Sequence, residues 1–307
     1  MNVQKYLIVI VGPTAIGKTA TAIEIAKHYN CEIISCDSRQ FFREMTIGTA
    51  VPSTEELDVV QHHFIHNKSI NDTYSVGDFE REAIATLDQL YKTSDYAVMV
   101  GGSGLYVDAV LYGMDEFPEI DPEIRADIKN KYQQLGISYL QDTLQKLDEI
   151  QYEVIEKENP QRLMRALEVC IQTGKPYSSF LTKNTKKRNF IPIIIGLEAD
   201  RALIYERINK RVDQMLDHGL LEEVKSLQEY KDVNALQTVG YKELFAFLTD
   251  EYSWDFAIET IKRNTRRYAK RQLTWFKKNN YTKWFNKNEN SKTIINYIES
   301  KRTETEI

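Results

Sequence analysis

The chain has 307 residues, of which 42% are hydrophobic and 28% charged, and this length and composition predict an ordinary globular protein of about two domains. Its longest apolar runs, residues 6–11 and 191–197, are only long enough for β-strands. We therefore expect no transmembrane helix and, because the first run leads straight into a glycine-rich loop, no signal peptide. The net charge of −5 argues weakly against a nucleic-acid partner, and three cysteines without metal-ligand spacing predict reduced thiols in the cytoplasm.

The first predicted strand, residues 6–11, runs into a glycine loop and then into a helical pattern. This order is typical of a phosphate-binding loop, in which backbone amides surround an anion at the N-terminus of a helix. Lys18 would reach the outer phosphates, and the Thr19 hydroxyl would bind Mg²⁺. The alternative is a glycine turn that binds nothing. The predicted phosphate site consists of eight consecutive residues: Gly12, Pro13, Thr14, Ala15, Ile16, Gly17, Lys18 and Thr19.

Further apolar runs at 31–36, 96–100 and 190–197 predict three more strands. Near-continuous apolar strands separated by helical patterns are typical of a parallel sheet covered on both faces. Asp37 follows the second strand directly, and Ser103 follows the third within a glycine cluster. Ligands bind at this edge of open α/β sheets, so we favour Asp37 as a base or metal ligand over a turn cap. For Ser103 we give equal weight to contact with a ligand and to a tight strand-to-helix turn.

The pattern changes between the third and fourth strands. Asp121-Pro122 and Asn159-Pro160 each predict the start of a helix, and the second helix should end at Gly174. We therefore predict an α/β fold with a P-loop NTPase-like parallel sheet core and a helical insertion domain. The core would comprise residues 1–113 and 189–307, and the insertion residues 114–188.

Two predicted helices carry paired arginines, one inside the insertion and one after the fourth strand. Arg162 and Arg165 share one face of the helix that begins at Asn159, where an Arg165–Glu168 surface pair is the alternative to a binding role. After the fourth strand, Arg207 and Arg211 lie one turn apart, as lid arginines do in nucleotide kinases, or on a solvated face.

The last predicted helix starts at about residue 254 and is strongly basic. Residues 261–284 contain nine Lys/Arg and no acid, interleaved with aromatic residues. This pattern suits phosphate contact with base stacking, or equally a solvated face with its aromatics turned to the core. Helical spacing cannot place all nine cations on one face, so we expect only four to six of them to meet phosphate. We also expect Trp275 and Trp284 to pack on the core and the polar tail after Phe285 to fray.

Seven segments, in this order, resemble the bacterial tRNA dimethylallyltransferases: GPTAIGKT, SCDSRQFFREMTIGTA, GGSGLY, QRLMR, RVDQML, TVGYKE and RQLTWF. They span most of the chain, and seven ordered motifs are more specific than a phosphate loop alone. Members of this family use Mg²⁺ and transfer a dimethylallyl group from its diphosphate to N6 of the adenine 3′ to a tRNA anticodon. The resemblance implies that the loop holds an isoprenoid diphosphate, which is the leaving group.

The resemblance also implies roles for single residues. Lys18, Mg²⁺ on Thr19 and Arg211 would stabilise the departing diphosphate, and Asp37 would accept the N6 proton. Ser103 stands where the family has a threonine and keeps a hydroxyl for the substrate nucleotide. We expect the tRNA contacts at Asp37, Ser38, Arg39, Gln40, Ser103, Arg125, Gln161, Arg162, Leu163, Met164, Arg165, Gln237, Thr238, Val239, Gly240, Tyr241 and Lys242.

The expected partners are therefore the anticodon stem-loop of tRNA and dimethylallyl diphosphate, with no membrane, and we expect the chain to act as a monomer.

Two departures from the family pattern stand near the site: Thr46 and Val51 replace an Asp and a Lys, and Ile16 replaces a smaller loop residue that we expect to border the prenyl pocket. Rival assignments are an adenylate isopentenyltransferase, a P-loop small-molecule kinase and a tRNA-binding module whose loop acts only as a switch.

Overall fold

The computed structural model describes residues 4–182 and 185–305. Its sheet has six strands, which in chain order are β1 Tyr6–Val11, β2 Ile33–Ser35, β3 His62–His63, β4 Tyr96–Val100, β5 Ile191–Glu198 and β6 Lys283–Asn286. All neighbouring strands are parallel, in the order β3-β2-β4-β1-β5-β6. The predicted α/β class with a parallel sheet is confirmed.

Thirteen α-helices lie in the described ranges: α1 Lys18–Tyr29, α2 Thr54–Val59, α3 Val76–Leu90, α4 Gly104–Tyr112, α5 Pro122–Leu135, α6 Ile137–Leu147, α7 Glu149–Val154, α8 Pro160–Thr173, α9 Arg201–Asp217, α10 Leu220–Ser226, α11 Tyr241–Leu248, α12 Trp254–Phe276 and α13 Ser291–Thr305. Short 3-10 helices occupy Tyr177–Phe180, Gln228–Tyr230 and Asn234–Leu236. None of the helices in these ranges is long and apolar enough to cross a membrane.

The chain divides into two compact units. The sheet unit comprises residues 1–112 and 187–307, and the helical unit comprises residues 113–186. The boundaries expected from the sequence lie one residue later at the first junction and two residues later at the second. Each unit has its own buried core, and the core of the helical unit is formed only by residues of α5, α6 and α8.

The position of β1 determines where the phosphate loop lies. All six residues of β1 are at most 2% exposed, because the strand pairs with β4 on one side and β5 on the other and is covered on both faces. The loop that follows β1 therefore emerges in the middle of the carboxyl edge of the sheet. The ends of β2 and β4 lie beside it, in line with the general rule that ligands of open α/β sheets bind at this edge.

The helical unit follows its local sequence closely. Asp121 and Asn159 cap α5 and α8 through their side-chain oxygens, each with a proline in the first turn, and α8 ends at Gly174 in the left-handed conformation. Leu163 and Leu167, on the predicted apolar face of α8, are 0% exposed. These predicted helix boundaries and this buried face are confirmed.

The structure corrects the prediction for the end of the chain. The tail does not fray after Phe285: β6 continues to Asn286 and α13 follows. Ile294 and Ile298, one helical turn apart, are 2% and 0% exposed and pack in the core of the sheet unit. Glu299 accepts a 2.9 Å hydrogen bond from the Tyr29 hydroxyl. Three isoleucines and a tyrosine in a polar segment were too weak a pattern to predict this helix. Strands β3 and β6 were missed because neither contains an apolar run longer than two residues.

We expect Ile298→Ala to lower the free energy of unfolding by about 2–5 kcal/mol, the usual cost of truncating a buried isoleucine. The matched control is Asn296→Ala, an exposed position on the same helix, which should change stability by no more than about 0.5 kcal/mol. Urea denaturation of both variants measures the difference. Equal stabilities would show that α13 does not pack on the core.

Candidate active site

The phosphate loop adopts a backbone that few residues other than glycine can adopt. Gly12 has φ +147°, and a Cβ there would lie 2.6 Å from the carbonyl oxygen of Leu197 on β5. Ala15 and Gly17 also have positive φ, at 63° and 107°. The loop thus curls against the end of β5 and turns directly into the first turn of α1, where Lys18 and Thr19 lie. This is the geometry expected of an anion site at a helix N-terminus.

Lys18 lies inside this loop and is poorly solvated. Its ammonium donates a 2.8 Å hydrogen bond to the carbonyl of Pro13. Desolvation, followed by repulsion from the Arg211 guanidinium, lowers the pKa of Lys18 to about 7, against the opposing attraction of Asp37. An anion bound in the loop would restore the favourable partner that the desolvated ammonium lacks.

Helix α9 carries two arginines to the outer side of the loop. Arg207 donates a 2.6 Å hydrogen bond from Nε to the carbonyl of Ala15, and Arg211 reaches the hydroxyl of Thr14 at 3.4 Å. Desolvation and the neighbouring Arg207 lower the pKa of Arg211. The structure therefore places both arginines at the predicted phosphate site, where Arg207 helps to shape the loop.

Asp37 and Ser103 meet at the same edge of the sheet. A Cβ at Gly101 would lie 2.1 Å from the carbonyl oxygen of Cys36, so the ends of β2 and β4 are in close contact. Ser103 accepts a 3.0 Å hydrogen bond from the Ser38 amide and donates to the Ser38 hydroxyl at 3.2 Å. Oδ1 of Asp37 accepts from the Arg39 amide at 3.0 Å, which is the turn-cap contact that the sequence also allowed. The turn-cap contact of Asp37 is therefore present, and the roles of Asp37 and Ser103 towards a ligand stay predictions.

Desolvation in the cleft is the largest influence on the Asp37 carboxyl. It raises the pKa of Asp37 above its ordinary value, against hydrogen bonding from the Arg39 amide and attraction to Lys18. A carboxylate with a raised pKa is a stronger base than a solvated one while still ionised near neutral pH. Asp37 is therefore suited to accept a proton.

Two cavities of the sheet unit meet at Asp37. One is a polar cleft of about 580 Å³ lined by the phosphate loop, Lys18, Thr19, Arg207 and Arg211. The other is a cavity of about 250 Å³ whose apolar lining residues are Ile208, Val212, Met215, Leu220, Val239 and Ile261. Asp37, Arg211 and Tyr268 line both. The site therefore joins an anion-binding cleft to an apolar pocket, with a carboxylate between them.

The residues in the cleft fit Mg²⁺ bound together with a phosphate ligand. The Thr19 hydroxyl and the Asp37 carboxylate line the cleft and offer the oxygen ligands that Mg²⁺ prefers. Within the described residues, no cluster of three or more His, Cys, Asp or Glu side chains forms a metal cage. This agrees with the usual way of holding Mg²⁺, in which one or two protein oxygens act with substrate phosphates and water.

Comparison with known proteins assigns this architecture to one family. A family model described as IPP transferase matches residues 40–279. The chain belongs to the IPP transferase family. The tRNA dimethylallyltransferase of Flavobacterium johnsoniae is 58% identical over 300 residues, which cover 96% of this chain and 97% of that protein. The alignment with that relative is much longer than the family-model match, which begins only after the phosphate loop.

Solved structures of the family have the same fold. The full-length tRNA isopentenylpyrophosphate transferase of Bacillus halodurans superposes with a TM-score of 0.73 at 37% identity, covering 98% of each chain. A eukaryotic dimethylallyltransferase acting on tRNA gives a TM-score of 0.78 at 25% identity, covering 92% of this chain and 74% of the other. The α/β core with its helical insertion is thus the architecture of the family.

Three residues at the site carried no assigned role in the sequence analysis. Gln272 of α12 hydrogen-bonds both the Thr14 amide and the Gly102 carbonyl. Tyr268 lines both cavities and hydrogen-bonds Ser103. The carboxylate of Glu223 accepts from three consecutive backbone amides, residues 46–48, and from the Tyr241 hydroxyl. Glu223 thereby fixes the segment in which Thr46 and Val51 depart from the family pattern.

The other departure, Ile16, does not narrow a pocket. Ile16 is 2% exposed and packs in the main core, and it lines neither cavity. The expectation that it borders the prenyl pocket is wrong, because the left-handed turn at Ala15 and Gly17 directs the intervening side chain into the core.

The predicted RNA-contact residues in the sheet unit form two groups. Ser38, Arg39, Thr238, Val239 and Gly240 line the apolar cavity near Asp37. Gln237 and Lys242 line an adjoining polar cavity of about 650 Å³ with Arg267 and Arg271, and this cavity shares Thr238 and Val239 with the apolar one. Two of the residues predicted to contact RNA have side chains that are buried or hydrogen-bonded within the protein. Tyr241 is 0% exposed, and the Gln40 amide bonds the Ser35 hydroxyl and the carbonyls of Thr49 and Ala50.

In the helical unit, the predicted contacts lie on α5 and α8. Arg125 and Arg165 both bond the buried Glu168, at 2.9 Å and 3.3 Å, so the pair that the sequence suggested is part of a triad with one excess positive charge. Arg162 lies 3.7 Å from Glu156 and is exposed. Gln161 is also exposed and Met164 half-buried, whereas Leu163 is fully buried and its side chain is not available to RNA.

One exposed face of α12 and its C-terminal turn is basic, and we call it the basic face. It consists of Arg263, Arg267, Lys270, Arg271, Lys277 and Lys278, all exposed at helical spacing. Of these six, within the described residues, only Lys277 forms an ion pair. Lys262 and Arg266 lie beside the face and bond Asp213 and Asn209 instead. Helical geometry thus puts six cations on one side of α12 and its C-terminal turn.

The aromatic residues among these cations have separate environments. Trp275 donates a 2.9 Å hydrogen bond to Asp108 and contacts Gly104, and Trp284 packs over Gly196 of β5. The predicted packing on the core is confirmed for Trp284, which packs against a cluster of buried residues in the sheet unit. It is not confirmed for Trp275, which is 36% exposed and belongs to none of the buried clusters of the described residues. Tyr281 is 84% exposed. The basic face therefore lies outside the packed core.

The pKa of Lys18 leads to a testable proton linkage. At about pH 8, above the lowered pKa, much of the free protein has a neutral Lys18, and a bound anion favours the ammonium form. We expect pyrophosphate binding to take up a proton at this pH and to weaken as pH rises through the pKa. Calorimetry in buffers of different ionisation enthalpy measures the uptake. Lys18→Arg, which keeps the charge at all accessible pH values, should abolish it, and equal uptake in that variant would contradict the assignment.

Proposed function

We propose that the chain transfers a dimethylallyl group from dimethylallyl diphosphate to N6 of the adenine that follows a tRNA anticodon on its 3′ side, releasing diphosphate. The observation that carries this proposal is the meeting of the phosphate-loop cleft and the apolar cavity at Asp37. Such a site accommodates a diphosphate in the cleft, a hydrocarbon chain in the apolar cavity and a proton acceptor between them. Membership of the IPP transferase family supports it.

The reaction breaks the bond between C1 of the isoprenoid and the bridging diphosphate oxygen, and the electron pair leaves with the diphosphate. The loop amides, Lys18 and Arg211 face the cleft in which that negative charge develops. Donors aimed at developing charge in a poorly solvated site are usually the largest contribution to catalysis. Mg²⁺, held by Thr19 with the diphosphate oxygens, would supply further charge neutralisation there.

The new bond forms between C1 and N6 of adenine, and N6 must lose one proton. Asp37 lies between the anion cleft and the apolar cavity, and its ionised carboxylate accepts that proton. Ser103, at the end of β4, keeps its hydroxyl next to Ser38 and Tyr268, at the side of Asp37 from which we propose the acceptor base enters. An unstacked base from a single-stranded loop reaches such a site at lower cost than a paired one.

The acceptor is proposed to be tRNA rather than a free nucleotide because of the cations outside the cleft. The basic face is exposed, and none of its residues lines the cleft or the apolar cavity that meet at Asp37. A mononucleotide held at Asp37 does not need these cations, whereas an anticodon stem-loop offers a phosphate every few ångströms. The three free cysteines are buried, which is consistent with the cytoplasm as the place of the reaction. We propose that a single chain supplies the whole donor site.

Asp37→Asn should lower kcat by about 10²–10⁴, the usual range for loss of a general base, with little change in donor affinity. In the wild type, kcat should fall as pH drops through the raised Asp37 pKa, and the variant should lose this dependence. The matched control is Asp108→Asn, since burial also raises the pKa of Asp108 outside the site. Single-turnover transfer to an anticodon stem-loop measures both.

Three outcomes of that experiment are distinct. A rate within a few-fold of wild type would remove Asp37 from the chemistry. Recovery of the variant at high Mg²⁺ would make Asp37 a metal ligand instead of a base. A comparable loss in Asp108→Asn would show that the effect comes from altered packing.

The basic face predicts the salt dependence of tRNA binding. Neutralising Arg267, Lys270 and Arg271 together should reduce the slope of log affinity against log salt by about two units, at about 0.7–0.9 per lost phosphate contact. Donor binding should not change. The control is Lys262→Gln with Arg266→Gln, adjacent cations that bond within the protein. An unchanged slope in the triple variant would leave the helical unit to carry the tRNA alone.

A further inference from the structure

Gln272 connects two parts of the site that are far apart in the sequence. It lies on α12 and is 5% exposed. Its Oε1 accepts a 2.8 Å hydrogen bond from the Thr14 amide of the phosphate loop, and its Nε2 donates at 2.9 Å to the Gly102 carbonyl just after β4. Both hydrogen-bonding atoms of the side-chain amide are thus directed into the site.

The contact decides which way one loop amide points. Amides of a phosphate loop normally turn inward to the anion, but the Thr14 amide points to Gln272 instead. With that amide fixed, the Thr14 hydroxyl faces Arg211 and the next carbonyl, of Ala15, faces Arg207. Side chains of α9 and α12 therefore help to determine the curvature of the loop.

The side-chain amide of Gln272 occupies the space that a Cβ atom at position 102 would need. A Cβ at Gly102 would lie 2.1 Å from Nε2 of Gln272 and 3.9 Å from Nζ of Lys18. The φ angle of Gly102 is not positive, so an alanine there meets no backbone strain. Its methyl group would displace the Gln272 amide, and Lys18 would remain at an ordinary contact distance.

We propose that Gln272 is a positioning residue that holds the phosphate loop in its anion-binding shape from α12, the helix that also carries the basic face. Without it, the Thr14 amide and the Gly102 carbonyl lose their partner in a poorly solvated site, and each must turn towards another group. The Thr14 amide would turn towards the anion position or towards water, and the loop would lose its fixed curvature. The role concerns binding of the diphosphate, so it extends the proposed function but is measured without group transfer.

The test uses inorganic pyrophosphate with Mg²⁺ and the full chain. Gln272→Met keeps the length of the side chain and removes both hydrogen bonds, and we expect it to weaken pyrophosphate binding about five- to a hundredfold, the range for loss of a buried hydrogen-bond partner. Gly102→Ala removes the same contact from the other side and should weaken binding in the same direction. The double variant should equal the weaker-binding single variant, because both changes remove one contact.

Further measurements separate positioning from a loss of structure. The control Lys270→Gln, an exposed cation two residues away, should leave pyrophosphate affinity unchanged and weaken only stem-loop binding. Gln272→Met should raise the KM for the isoprenoid diphosphate more than it lowers kcat, and should leave the salt dependence of stem-loop binding unchanged. Three results would overturn the proposal. One is a fall in Tm with equal losses of stem-loop and pyrophosphate affinity in Gln272→Met. The second is wild-type pyrophosphate affinity in that variant, and the third is a double variant in which the two single effects multiply.

Failure of the wild type to prenylate tRNA would contradict the proposed function alone.

Discussion

The phosphate loop is held in shape by hydrogen bonds from helices that come far later in the chain. Arg207 of α9 holds the Ala15 carbonyl and Gln272 of α12 holds the Thr14 amide, so the loop after β1 depends on the C-terminal half of the sheet unit. The strand order makes this possible, because β1 lies between β4 and β5 and its loop emerges where both later helices pass. The anion site thus forms as a consequence of the completed sheet unit, with its geometry set before any ligand arrives.

The same packing leaves the site with unbalanced charge. Desolvation lowers the pKa of both Lys18 and Arg211. Repulsion from Arg211 lowers the pKa of Lys18 further, repulsion from Arg207 lowers that of Arg211 further, and the carboxylate of Asp37 partly offsets both effects. A diphosphate compensates this excess, and it is also the group on which negative charge grows when an allylic carbon–oxygen bond breaks. The desolvated Lys18 and Arg211 are therefore neutralised most effectively when the negative charge of the leaving diphosphate develops.

The sequence predicted those parts of the structure that depend on local pattern. The phosphate loop, the capped starts of α5 and α8 and the position of Asp37 after a buried strand each follow from a few adjacent residues. Gln272 and Glu223 could not be found in this way, because their partners lie in distant segments and a hydrogen bond between a side chain and a remote amide leaves no periodic trace. The two-residue strand β3 and the half-polar helix α13 were missed because tertiary contacts, more than intrinsic propensity, stabilise them.

The most direct test of the account is to identify which bond the protein breaks and which acceptor it uses. The protein is incubated with labelled dimethylallyl diphosphate or with labelled ATP, each with an anticodon stem-loop, with AMP, or with no acceptor, and products are identified by mass spectrometry. The account predicts one productive combination: dimethylallyl diphosphate with the stem-loop, giving N6-prenylated adenine next to the anticodon and one diphosphate per transfer. Phosphoryl transfer from ATP, or prenylation of AMP in preference to the stem-loop, would contradict it.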